Sequence, residues 1–302
     1  MGIGQLPLFL LHAFLCQLFG FSSSLFNLCR NDQALVLLQF KNMLTITPYV
    51  SYCSYKTTNQ NIESCPNTVT WNTSTNCCSW AGVYCDETTG QVIELDLSCS
   101  QLQVPRLMSH NGTLIRLREQ HNINKQLKPK FSQKLDMGRR CIYKSEALSS
   151  LKRLDLSRND FSRSHISPKF CEFSSLTHLD LSDSNKTQLF GIFLARAFHL
   201  SNLKYLYLSS NPQLTVQFPT TKWNSSESLM ELYLTGVNFI DKIPQSFSYL
   251  TLSRQLDMRS CNLSGSIPRP VWNLTNIEYL LLDNYYLEGP ISLFTLEKLI
   301  VL

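Results

Sequence analysis

Residues 203–214 read "LKYLYLSSNPQL", and the same shape recurs on both sides of them. "LKRLDLSRNDF" begins at Leu151, "LTHLDLSDSN" at Leu176, "LMELYLTGVNF" at Leu229 and "IEYLLLDNYYLEG" at Ile277. A degenerate copy, "RQLDMRSCNLSGSIP", lies between the last two. The first Leu of each L-x-L core falls at 154, 179, 206, 232, 256 and 280, in steps of 25, 27, 26, 24 and 24 residues. An earlier copy, "VIELDLSCSQL", stands apart with its core at Leu95 and Leu97.

A period near 24 with L-x-x-L-x-L-x-x-[NC]-x-L marks a leucine-rich repeat. The two leucines of L-x-L alternate inward from a short strand, and the x residues face out. The Asn or Cys three residues after the second Leu turns in to satisfy backbone groups at the bend. Asn159, Asn211 and Cys261 fit that position; Ser100, Ser184, Val237 and Tyr285 do not. No repeat buries its leucines alone, so the coils must stack. The pattern predicts an α/β leucine-rich repeat solenoid with short parallel strands on its concave face. "LSGSIP" at 263–268, echoed by "DKIP" and "LEGPI", marks the plant extracellular type, whose segment after the strand is extended.

A stack of this kind needs a cap over its first coil. Seven of the 11 cysteines lie in the first hundred residues, and "CCSWAGVYC" at 77–85 places two side by side. In an extended segment neighbouring side chains diverge, so Cys77 and Cys78 should reach different partners. The expected pairs are Cys29 with Cys77 and Cys78 with Cys85, with Cys53 and Cys65 tying off the loop between. Before the clasp, "LCRNDQALVLLQFKNML" predicts a helix capped by Asn31 or Asp32, with Ala34, Leu37, Leu38 and Leu44 on its inner stripe. Trp71 and Trp80 supply apolar surface over the first repeat. A zinc site is the rival use of these cysteines, and oxidation in a secreted chain argues against it.

Secretion follows from the first 23 residues, where the apolar run "LPLFLLHAFLCQLFGFSSS" reads as a signal peptide. No later run of about 20 apolar residues suits a membrane span. Six N-x-[ST] sequons agree with export: Asn72, Asn111, Asn185, Asn224, Asn262 and Asn273. The expected organisation is signal 1–23, cap 24–90, first repeat 91–103 and repeats over 148–302, with an irregular junction at 185–198. Residues 104–147 break the pattern, with ten Lys/Arg against three Asp/Glu and no repeat signature where the spacing calls for about one more repeat. The chain stops at Leu302, in "LEKLIVL", midway through another strand. Catalytic, phosphate-binding and metal motifs are absent, so no enzyme, cofactor or metal is expected.

"C-x-x-D-Q-A-L" followed by "W-N-x-S-T-x-C-C-S-W-x-G-V-x-C-D-E-T-T-G-Q-V" resembles the N-terminal cap of plant leucine-rich repeat receptor-like proteins. With "NPQLTVQFPTTKWNSS", "IPQSFSYLT" and "NLSGSIPRPVWNLTNIEYL", the chain is similar to the tomato proteins that give resistance to the leaf mould fungus Cladosporium. That resemblance implies a membrane-anchored plasma-membrane receptor with an extracellular ectodomain and no kinase. It would perceive a protein or peptide from a pathogen and signal through a partner receptor-like kinase. On that view this chain is a truncated form, apoplastic if it is the whole product. Two alternatives stand: a secreted inhibitor of microbial cell-wall hydrolases, and the product of a decayed gene copy.

The candidate binding face is the concave one. Its outward positions include His178, Asp180, Tyr205, Tyr207, Glu231, Tyr233, Gln255, Asp257, Arg259 and Tyr279. Exposed aromatic residues beside Arg are typical of interaction anchors. Tyr205, Tyr207, Tyr233 and Tyr279 are expected to form an aromatic strip.

Overall fold

The structure is a computed structural model that describes residues 28–42, 44–46, 66–103, 147–161, 173–182, 189, 191–193, 198, 200–239, 242–282 and 286–288. The signal peptide, Cys53, Cys65, the sequons at 111 and 185 and almost all of the basic segment lie outside these residues.

Each L-x-L core is a strand of three to five residues. The strands are β2 (Val83–Cys85), β3 (Val92–Asp96), β5 (Arg153–Asp155), β6 (His178–Asp180), β8 (Tyr205–Tyr207), β10 (Glu231–Tyr233), β12 (Gln255–Asp257) and β14 (Tyr279–Leu281). They form one eight-stranded sheet in chain order, parallel except for the antiparallel β2–β3 pair. Leu95, Leu154, Leu179, Leu206, Leu232, Leu256 and Leu280 stand side by side in register. None of these leucines is more than 4% exposed. Burying each contributes about 1.5–3 kcal/mol, and only the neighbouring coil provides the burial.

The register shows which strands flank the two irregular segments. β3 pairs directly with β5, so no further coil stands between the first repeat and the one at Leu154. The expected extra repeat is absent from the ladder. β6 likewise pairs directly with β8. Of the junction at 185–198 the described residues are 189, 191–193 and 198. They supply a strand, β7 (Gly191–Phe193), and the buried rings of Phe193 and Phe198.

β7 starts a second, smaller parallel sheet with β9 (Leu214–Val216) and β11 (Asn238–Phe239). A separate pair, β13 (Ser264–Ser266) with β15 (Tyr286–Glu288), continues the extended segments that the G-x-I-P signature predicts. Between the sheets, Phe198, Phe218, Trp223 and Phe247 pack edge to face or tilted, with Phe198 and Phe218 centroids 4.6 Å apart.

The inward Asn position is a hydrogen-bond hub. Asn159 Nδ2 donates to the carbonyls of Leu97 (2.7 Å), Leu156 (3.1 Å) and Ser157 (3.1 Å), while Oδ1 accepts from Leu102 N–H (3.0 Å). Asn211 repeats the set with Leu181, Leu208, Ser209 and Leu189. Each hub follows a left-handed residue, Arg158 at φ 58° and Ser210 at φ 62°, where the chain turns away from the strand. Cys261 follows Ser260, at φ 52°, and its Sγ donates to Leu234 O at 2.9 Å. Burial pushes the Cys261 thiol up to about 12. A buried thiol held protonated is a poor nucleophile. Iodoacetamide at pH 8 should therefore leave Cys261 unlabelled in the native chain and label it after unfolding in guanidinium. Rapid native labelling, read by peptide mass spectrometry, would contradict its burial.

The cap covers the first coil. Its helix, α1 (Asn31–Asn42), buries Gln33, Val36, Leu37 and Phe40. The inner stripe thus runs one position from the expected one, with Ala34 and Leu38 at its flanks and Leu44 beyond the helix end. The shift follows from Gln33, whose Nε2 donates to Ala147 O (2.7 Å) while its Oε1 accepts from Val92 N–H (3.1 Å). A polar residue thereby joins the cap to two coils. Asp32 lies within the first turn, paired with Arg30. A short pair, β1 (Thr45–Ile46) with β4 (Leu102–Gln103), closes the cap edge. Trp71 and Trp80 stack at 5.5 Å, each indole N–H satisfied, by Ala81 O and Thr75 Oγ1.

Disulfides join Cys29 to Cys77 and Cys78 to Cys85, each with Cα atoms 5.5 Å apart. The adjacent cysteines occupy one turn of 3-10 helix, Cys77–Ser79, and not the extended segment expected. Asn76 sets that turn: its Oδ1 accepts from the N–H groups of both Cys29 (2.9 Å) and Cys78 (3.2 Å). Cys99 is also disulfide-bonded.

Candidate functional site: the concave face

The parallel register arranges the outward side chains of the large sheet in two straight rows. One row runs Tyr84, Glu94, Arg153, His178, Tyr205, Glu231, Gln255, Tyr279. The other runs Asp96, Asp155, Asp180, Tyr207, Tyr233, Asp257, Leu281. Tyr84, on the antiparallel β2, is 52% exposed and extends the first row. Sequence reasoning missed it because β2 precedes the repeats.

The expected aromatic strip is rearranged by this register. Tyr207 and Tyr233 are direct neighbours, with centroids 5.0 Å apart. Tyr205 stacks instead on His178, at 4.1 Å and 17°. Tyr279 stands beyond Glu231 and Gln255 in the other row, away from the pair. Three tyrosines and one histidine therefore cluster over β6, β8 and β10, and the fourth tyrosine does not join them.

The tyrosine hydroxyls point their protons into the face. Tyr207 Oη donates to Glu231 Oε2 at 2.6 Å, and Tyr233 Oη donates to Gln255 Oε1. Burial, then the Glu231 bond, raises the Tyr207 phenol above its ordinary value, and burial raises that of Tyr233. Both phenols stay protonated at any physiological pH.

The acidic row is built by one recurring turn. Asp96, Asp155 and Asp180 each accept, through Oδ1, the N–H and hydroxyl of the serine two residues on. Burial pushes Asp180 up to about 6, against the Ser182 bonds and with the nearby Asp155 charge. Asp257 differs. Burial favours its neutral form, but Arg259 grips both oxygens at 3.0 and 2.7 Å, and the carboxyl ends below its usual range. Arg153 lies 3.6 Å from Glu94 and 3.8 Å from Asp155. Burial and the Arg153 charge lower His178, which stays neutral near pH 7.

Two other places need placing. The sulfurs of Cys29, Cys77 and Cys78 lie within 4.8 Å of one another, but all three belong to disulfides and offer no thiolate to a metal. A cavity of about 500 Å³ on the second sheet is lined by Val216, Phe218, Phe239, Lys242 and Ile243, away from the concave rows. Among the described residues no helix is long and apolar enough to cross a membrane. Asn72 is exposed, and its Oδ1 accepts from Ser74 of the same sequon.

Stacked coils, an in-register leucine ladder, asparagine hubs and a disulfide-stapled cap define a plant-type leucine-rich repeat protein. The Leucine Rich Repeat family model matches residues 150–173 and 254–274. Receptor-like protein Cf-9 from Solanum pimpinellifolium is 45% identical over 82% of this chain and 33% of its own length. A Cf-9 homolog from Solanum lycopersicum is 43% identical over 71% of this chain and 30% of its own length. This chain thus spans about a third of the curated relatives it matches. The ectodomain of the Arabidopsis receptor kinase HAESA, solved with the peptide hormone IDA and the co-receptor SERK1, shares the fold. Its TM-score is 0.59 at 24% identity, covering 89% of this chain and 36% of that one. Over most of its length the chain is similar to the plant leucine-rich repeat receptor-like proteins of the Cf-9 group.

Proposed function

We propose that this chain is an extracellular recognition module of a disease-resistance receptor-like protein. Its concave face captures a protein or peptide from a pathogen, and a partner receptor-like kinase carries the signal. The observation that carries this reading is the cluster of His178, Tyr205, Tyr207 and Tyr233, half-buried and set on three in-register coils. Aromatic side chains on a rigid sheet lose little entropy when a partner covers them. HAESA, which shares the fold, binds a peptide and a co-receptor; that arrangement supports the partner assigned here. Disulfides in the cap agree with an oxidising, extracellular compartment. The role assigned here is binding without catalysis.

The test is a scan of the secreted chain against proteins of a fungal culture filtrate, read by pull-down and surface plasmon resonance. Tyr205→Ala, Tyr207→Ala and Tyr233→Ala should each weaken binding about tenfold, the loss typical of an interface anchor. Tyr249→Ala, at an exposed position off the strands, should change nothing. Captured proteins that bind every concave variant equally would place the site elsewhere.

A further inference from the structure

The concave face brings hydrogen-bond acceptors and aromatic faces together in one place. Tyr207 and Tyr233 sit in one row between Asp180 and Asp257, with Glu231 in the adjoining row. Both tyrosine protons are committed across the face, to Glu231 and Gln255 of the adjoining row. What remains outward is the negative ring face and the phenolic lone pairs. Among the described residues, neither Asp180 nor Glu231 has an ion-pair partner. Arg153 is engaged by Glu94 and Asp155, and Arg259, just past β12, by Asp257, while Arg158 acts on Asp180 from a distance. Lys204 is exposed at the entrance to β8, on the rim.

Resting on the concave-face reading above, we propose that this cluster is a cation-accepting subsite. The Tyr207–Tyr233 pair, flanked by Asp180 and Glu231, receives an arginine or lysine side chain of the captured protein. A guanidinium stacks on an aromatic face while its N–H fork reaches the flanking carboxylates, and desolvation between partners strengthens both contacts. An acidic side chain would meet two carboxylates and two ring faces of its own sign. The cluster therefore sets the sign of the ligand's anchor as well as its position.

Acidity should modulate the subsite. Asp180 takes up its proton at about pH 6, with Asp155 and Arg158 as its charged neighbours and the Tyr207 ring beside it in the row. His178, next to it on β6, gains positive charge in acid under the influence of Arg153, Glu231 and Lys204. Protonation of Asp180 removes one negative flank near pH 6, and the lowered His178 adds its charge only further into acid, so acid disfavours a bound cation.

A random dodecapeptide phage library panned at pH 7 against the full secreted chain tests this. Enriched peptides should share an arginine or lysine at one position, and its replacement by citrulline should cost tenfold or more in affinity. Tyr207→Leu and Tyr233→Leu should abolish the preference, whereas Tyr207→Phe should keep most of it, because the ring and not the hydroxyl is used. Glu231→Gln should weaken binding without a change in melting temperature, and binding should fall several-fold from pH 7 to pH 5. Peptides that tolerate citrulline, or that enrich Asp and Glu, overturn the cation assignment and leave the binding face standing if concave variants still matter. Peptides indifferent to every concave variant, or a library that yields no binder, count against both.

Discussion

Asn159→Leu should lower the stability of the chain by about 3–5 kcal/mol, although leucine is apolar, of similar size and sits in a leucine core. The side chain it replaces is 3% exposed and makes four hydrogen bonds to backbone groups of two coils. Leucine cannot return any of them. Leu97 O, Leu156 O, Ser157 O and Leu102 N–H would then lack this partner, and each buried group left unsatisfied costs about 1–3 kcal/mol, not fully additively. The turn adds to the effect, since Arg158 is held at φ 58° and the hub anchors the chain on either side of that strained residue. Cys261 provides the internal contrast. It fills the corresponding place with weaker thiol bonds, to Leu234 O at 2.9 Å and Arg259 O at 3.3 Å, so Cys261→Ala should cost only about 1–2 kcal/mol. Urea unfolding midpoints measure both, and hydrogen exchange at Leu102 and Asp160 locates the first. A cost for Asn159→Leu below that of Cys261→Ala would mean that the hub does not carry the bend.

Much of this was legible in the sequence because leucine spacing reports burial directly. A residue that must face inward every 24–27 positions leaves a periodic trace, and the ladder from Leu154 to Leu280 follows that trace. Asn159 and Asn211 were legible for the same reason, since an amide at a fixed distance from a strand has one use in a stacked coil. Gln33 was not. A polar residue on a helix reads as solvent-facing, and its burial is set by two backbone partners, 59 and 114 residues away. The direct pairing of β3 with β5 was equally hidden, because spacing counts residues and cannot tell an inserted coil from a segment that leaves the ladder.

The concave face was half legible. Outward positions follow from the strand pattern, and the two rows hold every candidate except Arg259, which lies past the end of β12. Which of them meet depends on the row each occupies, and the two outward positions of a strand fall in different rows. Tyr205 and Tyr207 share β8 yet take different partners, His178 and Tyr233. Asp257 and Arg259 were both candidate contacts, and the structure spends each on the other. Hydrogen bonding thus narrows a list of outward residues to the few with unsatisfied capacity, and that narrowing needs coordinates.

Replacing Cys29 and Cys77 together by serine should destabilise the cap by about 4 kcal/mol, and replacing Cys78 and Cys85 by about 2 kcal/mol. The difference follows from chain entropy: the first bond closes a span of 48 residues and the second a span of 7. The packing reinforces that order. Cys29 tethers the entry to α1, and α1 places Val36, Leu37 and Phe40 in the same core as Val92, Leu95 and Leu97. Without the tether, the helix is held by that apolar contact, by the Gln33 bridge and by Asn76, whose Oδ1 still accepts from residue 29. The loss should be local. Hydrogen exchange should speed up at 83–85 and 92–96, while the amides around Leu232, four ladder strands from β3, keep their protection. A solenoid transmits stability from coil to neighbouring coil, so an uncapped first coil frays before the centre melts. Equal losses along the whole ladder would show the stack melting as one unit. A double variant within about 1 kcal/mol of the parent would show instead that packing alone seats the cap.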